Sequence, residues 1–270
     1  MKTTLRVIKD SSRSAAFNMA ADMYLLSRCV TEPVVYLRFY SWQVPTITIG
    51  YMQNREESLA IDILDEHGVS WIRRPTGGRA VLHHGDITYT CAFSKNIPEM
   101  GKGIAETYHR ISACLIYGLN QAGITCSPHS FFVNAQDVKR EIKLPCFLAP
   151  NRNEIMCRGK KLVGSAQKRT DDAVLQHGSI PLTGRFRELP SYQNISEEQR
   201  RVFTKLLHRK CTCIEESIPG LDENDLIECL QEGFRSILPY TMTIQRWTDD
   251  EEREIEKIAG SQEFAQLWMQ

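Results

Sequence analysis

The strand and helix patterns change along this chain, and that change limits the folds it can adopt. Up to about residue 190, short runs of β-branched and aromatic residues such as 34–40 and 44–50 alternate with glycine turns. A long amphipathic helix is predicted at 103–122. Beyond residue 190 the pattern is helical, with capping boxes at Ser196–Gln199 and Thr248–Glu251. The sequence predicts an α+β fold, a mixed β-sheet with flanking helices, over 1–191, with a helical C-terminal extension, 192–270, packed on it.

Several further elements follow from local patterns. Helices are predicted at 17–30 and at 54–67, the second ending at Gly68. The runs 80–82 and 87–93 resemble the two arms of a hairpin around His84–Asp86. Short strands are predicted at 69–73, 154–157, 161–166 and 173–182.

Composition excludes several functional classes. The 270 residues carry 33 basic and 33 acidic side chains, so the chain lacks the overall basic footprint of a nucleic-acid-binding protein. No apolar run approaches the ~20 residues that span a bilayer. The first residues lack the apolar stretch of a secretory signal, which predicts a cytoplasmic protein. The odd number of cysteines, nine, favours free thiols over a disulfide framework.

A glycine turn with three arginines is the first candidate site. Arg73, Arg74 and Arg79 surround Thr76-Gly77-Gly78, and His83 follows shortly after. Glycines let a ligand approach the backbone closely, and guanidinium groups bind anions. A surface turn with solvated arginines explains the same residues equally well.

Cys146 is a candidate nucleophile. It lies between Pro145 and Pro150, which predicts a rigid, non-helical loop, and catalytic groups are common in such loops. A buried structural thiol is the alternative, since free cysteine is among the most buried residue types.

Lys161 and His177 are candidates on two neighbouring strands. Gly164, Ser165 and Ala166 follow Lys161, and their small side chains leave room for a ligand along the strand. An exposed edge strand is the alternative for this lysine. Gly178 permits close backbone approach beside His177, but no acidic residue follows His177 at short spacing to orient it.

No metal site is predicted. His208, Cys211 and Cys213 supply three ligands, whereas a structural zinc site has four, commonly in two separated pairs.

These segments together resemble a known family: the catalytic domains of lipoate–protein ligases, octanoyltransferases and biotin–protein ligases. Phe17–Asp22 is similar to the first-helix signature of that family, and Arg73–Gly78 is similar to its ligand-binding glycine loop. Lys161–Ala166 resembles the strand that carries its essential lysine. The remaining similar segments are Leu37–Trp42, Thr48–Gln53 and His177–Ser179.

Within the family, the chain most resembles the octanoyltransferases that use a cysteine and a lysine. In these, a Pro-Cys-Phe-x-Ala-Pro motif precedes the lysine by fifteen residues, as Cys146 precedes Lys161. The ATP-dependent ligases usually have a third glycine where Arg79 stands. Asn151–Glu154 nevertheless resembles a segment of those ligases.

The resemblance implies an activity and its partners. Cys146 would take an octanoyl group from acyl carrier protein as a thioester, and a lysine of a lipoyl domain would accept it. That domain would belong to a glycine-cleavage carrier protein or a 2-oxoacid dehydrogenase. Lys161 would be the second catalytic residue. The reaction would need no cofactor or metal, and the enzyme would be a monomer. The residues expected to bind substrate are Arg73, Arg74, Thr76, Gly77, Gly78, Arg79, His83, Gly164, Ser165, Ala166, His177 and Gly178.

Two alternatives remain open at this point. An ATP-dependent lipoate–protein ligase would form a lipoyl-adenylate with ATP and magnesium, and Cys146 would then be passive. A catalytically inactive relative would only bind a lipoyl domain or an acyl carrier.

Overall fold

The computed structural model describes residues 3–129 and 154–269. The strands are β1 (Thr4–Arg13), β2 (Val34–Trp42), β3 (Thr46–Ile49), β4 (Ser70–Arg73), β5 (Val81–His83), β6 (Asp86–Ser94), β7 (Cys126–His129), β8 (Glu154–Cys157), β9 (Lys160–Arg169), β10 (Ala173–Pro181) and β11 (Thr241–Ile244). The α-helices are α1 (Ala15–Arg28), α2 (Arg55–Ser58), α3 (Ile61–Glu66), α4 (Ile104–Gln121), α5 (Glu197–Lys210), α6 (Glu223–Ile237), α7 (Asp249–Ala259) and α8 (Gln262–Trp268). Short 3₁₀ helices span Pro98–Met100 and Gly184–Tyr192.

A large mixed sheet forms the centre of the molecule. Its strand order is β11-β1-β2-β6-β10-β9-β8-β7. The pairs β11–β1 and β1–β2 are parallel, and the neighbouring pairs from β2 to β7 are antiparallel. The prediction of an α+β fold with a mixed sheet is confirmed.

A small second sheet lies beside the first, in the order β4-β3-β5. The predicted hairpin of 80–82 and 87–93 is wrong, because its two arms belong to different sheets. Val81 pairs with Thr48 in the small sheet, whereas β6 pairs with β2 and β10 in the large one. The chain changes sheet at Gly85, whose φ of 76° is readily adopted only by glycine.

Helices cover both faces of the large sheet because its strands alternate apolar residues between two cores. Val35 and Leu37 of β2 belong to a core with α4 and α6, and Tyr36 belongs to a second core with α1, α7 and α8. Both predicted capping boxes are present at the starts of α5 and α7. In the part of the chain that the structure describes, no helix is long and apolar enough to cross a membrane.

Two further predictions differ from the structure. The helix predicted over 54–67 is divided into α2 and α3, because Leu59 is buried and extended and forms a β-bridge with Gln193. The C-terminal region was predicted as helical, yet β11 joins the large sheet beside β1. A run of four residues is too short to stand out from its helical surroundings.

Candidate active site

A cleft lies between the large sheet and the small one. Its open space, including the solvent at its mouth, is about 360 Å³. Helix α1 and strand β2 contribute apolar and aromatic side chains, and the small sheet contributes Thr48, His83 and the apolar Val81. The lining residues are Met19, Tyr40, Trp42, Thr48, Arg74, Val81, His83, Thr88, Gly164, Ser165, Ala166, His177, Gly178 and Ser179.

His177 links the glycine loop to the first helix. Its Nε2 lies 2.7 Å from Thr76 Oγ1, and its Nδ1 lies 2.8 Å from Asp22 Oδ2. Burial lowers the pKa of His177, although the Asp22 carboxylate raises it. The orienting acid that sequence spacing lacked is therefore Asp22, which is 155 positions away along the chain.

His83 stands in a second, similar arrangement on the opposite wall. Its Nδ1 lies 2.8 Å from Asp86 Oδ2, and its Nε2 lies 3.0 Å from Thr48 Oγ1. The indole of Trp42 stacks on the imidazole, with ring centroids 4.4 Å apart. Ser179 donates a further hydrogen bond to Asp86 Oδ2 at 2.6 Å. The His83 ring is thus held on its edge and on its face.

Two arginines hold the backbone beside the cleft, Arg74 at the glycine loop and Arg73 at the turn after β3. Arg74 is 4% exposed and donates to the backbone carbonyls of Thr48, Gly77 and Arg79. Arg73 donates to the carbonyls of the turn at 50–53. Arg74 is therefore buried, and the alternative of a surface turn with solvated arginines is wrong for this residue.

Glycine is required where the loop meets the turn after β3. A Cβ on Gly50 would lie 2.0 Å from the carbonyl oxygen of Gly78, closer than atoms can approach. The Tyr51 amide donates to the Thr76 carbonyl at 3.0 Å beside this contact. The loop and the turn therefore form one close-packed unit next to Arg74, which lines the cleft.

Lys161 lies at the start of β9 and is 5% exposed. Its Nζ donates to Glu154 Oε1 at 2.6 Å, and the carboxylate is equally buried. A buried ammonium of this kind can stabilise a thiolate or a developing oxyanion. Lys161 is not exposed at an edge, which removes the alternative explanation for it.

Cys146 lies outside the described residues, as does most of the Asn151–Glu154 segment. The described cysteines are all free thiols, as the odd cysteine count predicts. Burial raises the pKa of Cys114, Cys126 and Cys211 to about 12 in each case, which makes these three thiols poor nucleophiles.

Residues 3–129 and 154–269 contain no group of three or more His, Cys, Asp or Glu side chains that could hold a metal ion.

Comparison with known proteins decides the family. The lipoyl protein ligase A/B catalytic domain matches residues 14–235. The chain belongs to this family. Proteins named octanoyltransferase LipM, from Halalkalibacterium halodurans and Bacillus cereus, are each 32% identical to it. The first alignment covers 98% of this chain and 98% of the relative. The second covers 97% of this chain and 96% of the relative.

Solved structures of family members have the same fold. A crystal structure of lipoate-protein ligase A bound with ATP has a TM-score of 0.75 and 19% identity, covering 96% of this chain and 94% of that one. A bipartite lipoate protein ligase from Thermoplasma acidophilum has a TM-score of 0.77 and 18% identity, covering 98% and 96%. At these identities the likeness concerns the fold.

In this member of the lipoyl ligase family, the predicted site residues occupy different positions. The cleft brings together Arg74, His83, Gly164, Ser165, Ala166, His177 and Gly178. Thr76 does not line the cleft but forms a hydrogen bond with His177, which does. Lys161 lies on β9, before the three residues of that strand that line the cleft. Arg73 ends β4, and Gly77, Gly78 and Arg79 belong to the glycine loop; these four are not among the lining residues of the cleft.

Several residues of this site were not predicted from the sequence. Asp22 and Asp86 orient the two histidines, and Trp42 stacks on one of them. One signal was available for Asp22: it is the one polar residue of the run 19–26 within the first predicted helix. An acid there needs a buried partner, since aspartate is almost never fully buried unless paired.

Proposed function

We propose that this chain is an octanoyltransferase of protein lipoylation. Its near full-length similarity to proteins named octanoyltransferase is the observation that carries the proposal. The cleft supports it chemically, because its apolar surface, contributed by Met19, Tyr40, Trp42 and Val81, suits a hydrocarbon chain. Burying each CH₂ of such a chain contributes about 0.8 kcal/mol.

Cys146 is the proposed nucleophile. Its thiolate attacks the thioester carbonyl of an octanoyl group on acyl carrier protein. The bond between that carbonyl and the carrier sulfur breaks, and the carrier thiol leaves with a proton. The octanoyl group is then held on Cys146 as a new thioester.

The second step transfers the group to an amine. A lysine of a lipoyl domain attacks the Cys146 thioester, an amide forms, and the cysteine leaves as a thiolate. The amine proton is released to solvent or returned to the thiolate. A structural neighbour is described as a ligase with its E2 lipoyl domain, which supports this class of acceptor.

Lys161 supplies the cation in this scheme. A positive charge beside a cysteine favours the thiolate, which is otherwise a few per cent of a free thiol at neutral pH. It also stabilises the oxyanion of each tetrahedral intermediate, where loss of one donor typically costs about 3–4 kcal/mol. The proposed reaction uses no ATP, metal or other cofactor.

Intact-mass spectrometry tests the proposal. The protein is mixed with octanoyl-acyl carrier protein without ATP, and we expect one octanoyl adduct on the wild type and none on Cys146→Ser. Cys229→Ser is the matched control, because Cys229 lies on α6 away from the cleft. An adduct that persists in Cys146→Ser would refute the nucleophile assignment. The octanoyltransferase proposal would be refuted if the wild type gives no adduct but forms lipoyl-adenylate with lipoate, ATP and magnesium.

A further inference from the structure

Two histidine arrangements in the cleft are joined through one arginine. Arg74 Nε lies 3.2 Å from Thr76 Oγ1, and Arg74 Nη1 lies 3.3 Å from Thr48 Oγ1. Thr76 contacts His177, and Thr48 contacts His83. A continuous set of buried contacts therefore runs from Asp22 to Asp86 through Arg74.

The direction of each hydrogen bond follows from the chemistry of the donors. A guanidinium has only donors, so the threonine oxygens accept from Arg74. Each hydroxyl must then direct its own hydrogen elsewhere. In the described part of the chain, the acceptors within reach are Nε2 of His177 for Thr76 and Nε2 of His83 for Thr48.

An Nε2 that accepts a hydrogen bond carries no proton. The proton of each neutral imidazole must then be on Nδ1, and each Nδ1 faces a carboxylate that can accept it, Asp22 or Asp86. The carboxylates are themselves held: Thr90 donates to Asp22 at 2.7 Å, and Ser179 donates to Asp86. Every group in the set therefore has a partner when both histidines are neutral.

We propose that Arg74 is the centre of a buried hydrogen-bond network that fixes His83 and His177 as neutral, Nδ1-protonated imidazoles, so that neither ring presents a charge to the acyl chain. The statement about the acyl chain rests on the proposed function, whereas the hydrogen-bond network itself does not. Arg74 is a positioning residue here, and it binds no substrate anion.

The charges around both rings are consistent with this state. His177 faces Asp22 from α1, Arg74 from the glycine loop and His83 from β5. Arg38 of β2 lies 3.7 Å from Asp22 and offsets its charge. His83 faces Asp86 of β6 and the same Arg74 through Thr48. A hydrocarbon chain packed on an imidazolium would strip water from a charge, which is costly.

The first test is the protonation state of the two rings. Long-range ¹H–¹⁵N correlation spectra of the ¹⁵N-labelled protein at pH 7, without substrate, distinguish a protonated from an unprotonated ring nitrogen. We expect Nδ1 protonated and Nε2 unprotonated in both His83 and His177. A proton on Nε2 of either ring, alone or with one on Nδ1, would overturn the proposal.

Paired variants test the network itself. Thr76→Val removes the hydroxyl that donates to His177, and Thr76→Ser keeps one. Losing a hydrogen bond of ordinary strength from the neutral form corresponds to a rise of about one unit in the apparent pKa of His177. We expect that rise in Thr76→Val and its reversal in Thr76→Ser. An unchanged His177 titration in a folded Thr76→Val protein contradicts the network.

Thr48→Val repeats the test on the other branch, should Thr76→Val fail to fold. We expect the Nε2 signal of His83 to move, whereas Thr48→Ser retains the wild-type signal. A His83 signal that is the same in both variants overturns the Thr48 branch.

The effect of the network on the reaction of the acyl chain is measured separately. The rate of octanoyl-adduct formation is measured from pH 7.5 to 5.5 in Thr76→Val and Thr76→Ser. We expect the ratio of the Thr76→Val to the Thr76→Ser rate to fall as the pH falls. If the NMR results are as expected but this ratio is constant, the network stands and its role in acyl binding is wrong. If neither form gives an adduct, the octanoyl assignment is wrong.

Discussion

The ammonium nitrogen of Lys161 lies 2.6 Å from Oε1 of Glu154, and both side chains are 6% exposed. β8 and β9, which carry these residues, are adjacent antiparallel strands. The pair therefore holds an ammonium group and the carboxylate that balances its charge inside the fold, at the start of the strand whose small residues line the cleft.

Glu154→Gln is expected to destabilise the fold. Removing one partner of a buried ion pair leaves the other charge uncompensated, which typically costs about 3–5 kcal/mol. Urea unfolding at pH 7.5 measures the free energy of unfolding. The control is Glu232→Gln, whose pair with Arg235 is solvent-exposed and contributes little to stability. Equal losses in the two variants would show that the Lys161 charge does not depend on Glu154.

Lys161→Ala is expected to raise the apparent pKa for alkylation of Cys146, because a nearby cation favours the thiolate. Iodoacetamide labelling of Cys146 across pH 6–10, followed by peptide mass spectrometry, measures it. Lys160→Ala is the matched control, since the adjacent Lys160 is 39% exposed and directs its Nζ to the His208 carbonyl. The same labelling curve in Lys161→Ala and the wild type would exclude the electrostatic role.

His177 is expected to make the fold less stable in mild acid. Its pKa is lowered in the folded state, first by burial, so the unfolded chain binds a proton more readily below its ordinary value of about 6.5. Stability is therefore fully present above that value and falls as the pH drops toward the folded pKa, by up to about 1.4 kcal/mol per pH unit. The loss should be smaller in His177→Gln.

Urea unfolding at pH 7.5 and 5.5 measures this difference. His109→Gln is the control, because His109 is exposed on α4, and it should lose as much stability as the wild type. A His177→Gln protein with the wild-type pH dependence would contradict the assignment.

Gly233→Ala is expected to disrupt the packing of α6 on α4. A Cβ at this position would lie 2.1 Å from the carbonyl oxygen of Cys114, and backbone cannot yield as a side chain tip can. Overpacking of this kind typically costs about 1–3 kcal/mol or more, visible as a lower urea midpoint. Gly103→Ala meets no atom within 4 Å and should cost under about 1 kcal/mol. A midpoint as high as that of Gly103→Ala would show that the two helices can move apart freely.

Local features of the fold were predictable because they depend on neighbouring residues. The helix α4 and the capping boxes at Ser196 and Thr248 follow from spacing and side-chain chemistry within one or two turns. The hairpin prediction at 80–93 was wrong because a strand pattern does not specify the partner strand. Val81 and β6 both have such a pattern, yet they pair in different sheets.

For the site as well, some residues were predictable from the sequence and others were not. Arg74, His83 and His177 were found as candidates from motifs, and the structure brings them to one cleft. Their partners were not found, because Asp22 and Thr76 meet at His177 only after α1, the glycine loop and β10 have packed together. The position of Cys146 relative to Lys161 stays a prediction, since Cys146 lies outside the described residues.

The sequence by itself determined the α+β class, most of the strands, the free thiols and the candidate residues, because these depend on composition and short-range spacing. Only the tertiary structure decided which groups meet: Lys161 with Glu154, His177 with Asp22, and β11 with β1 across the length of the chain. The physical reason is that a buried charge or strand edge needs a partner, but its chemistry does not specify which distant residue packing will bring to it.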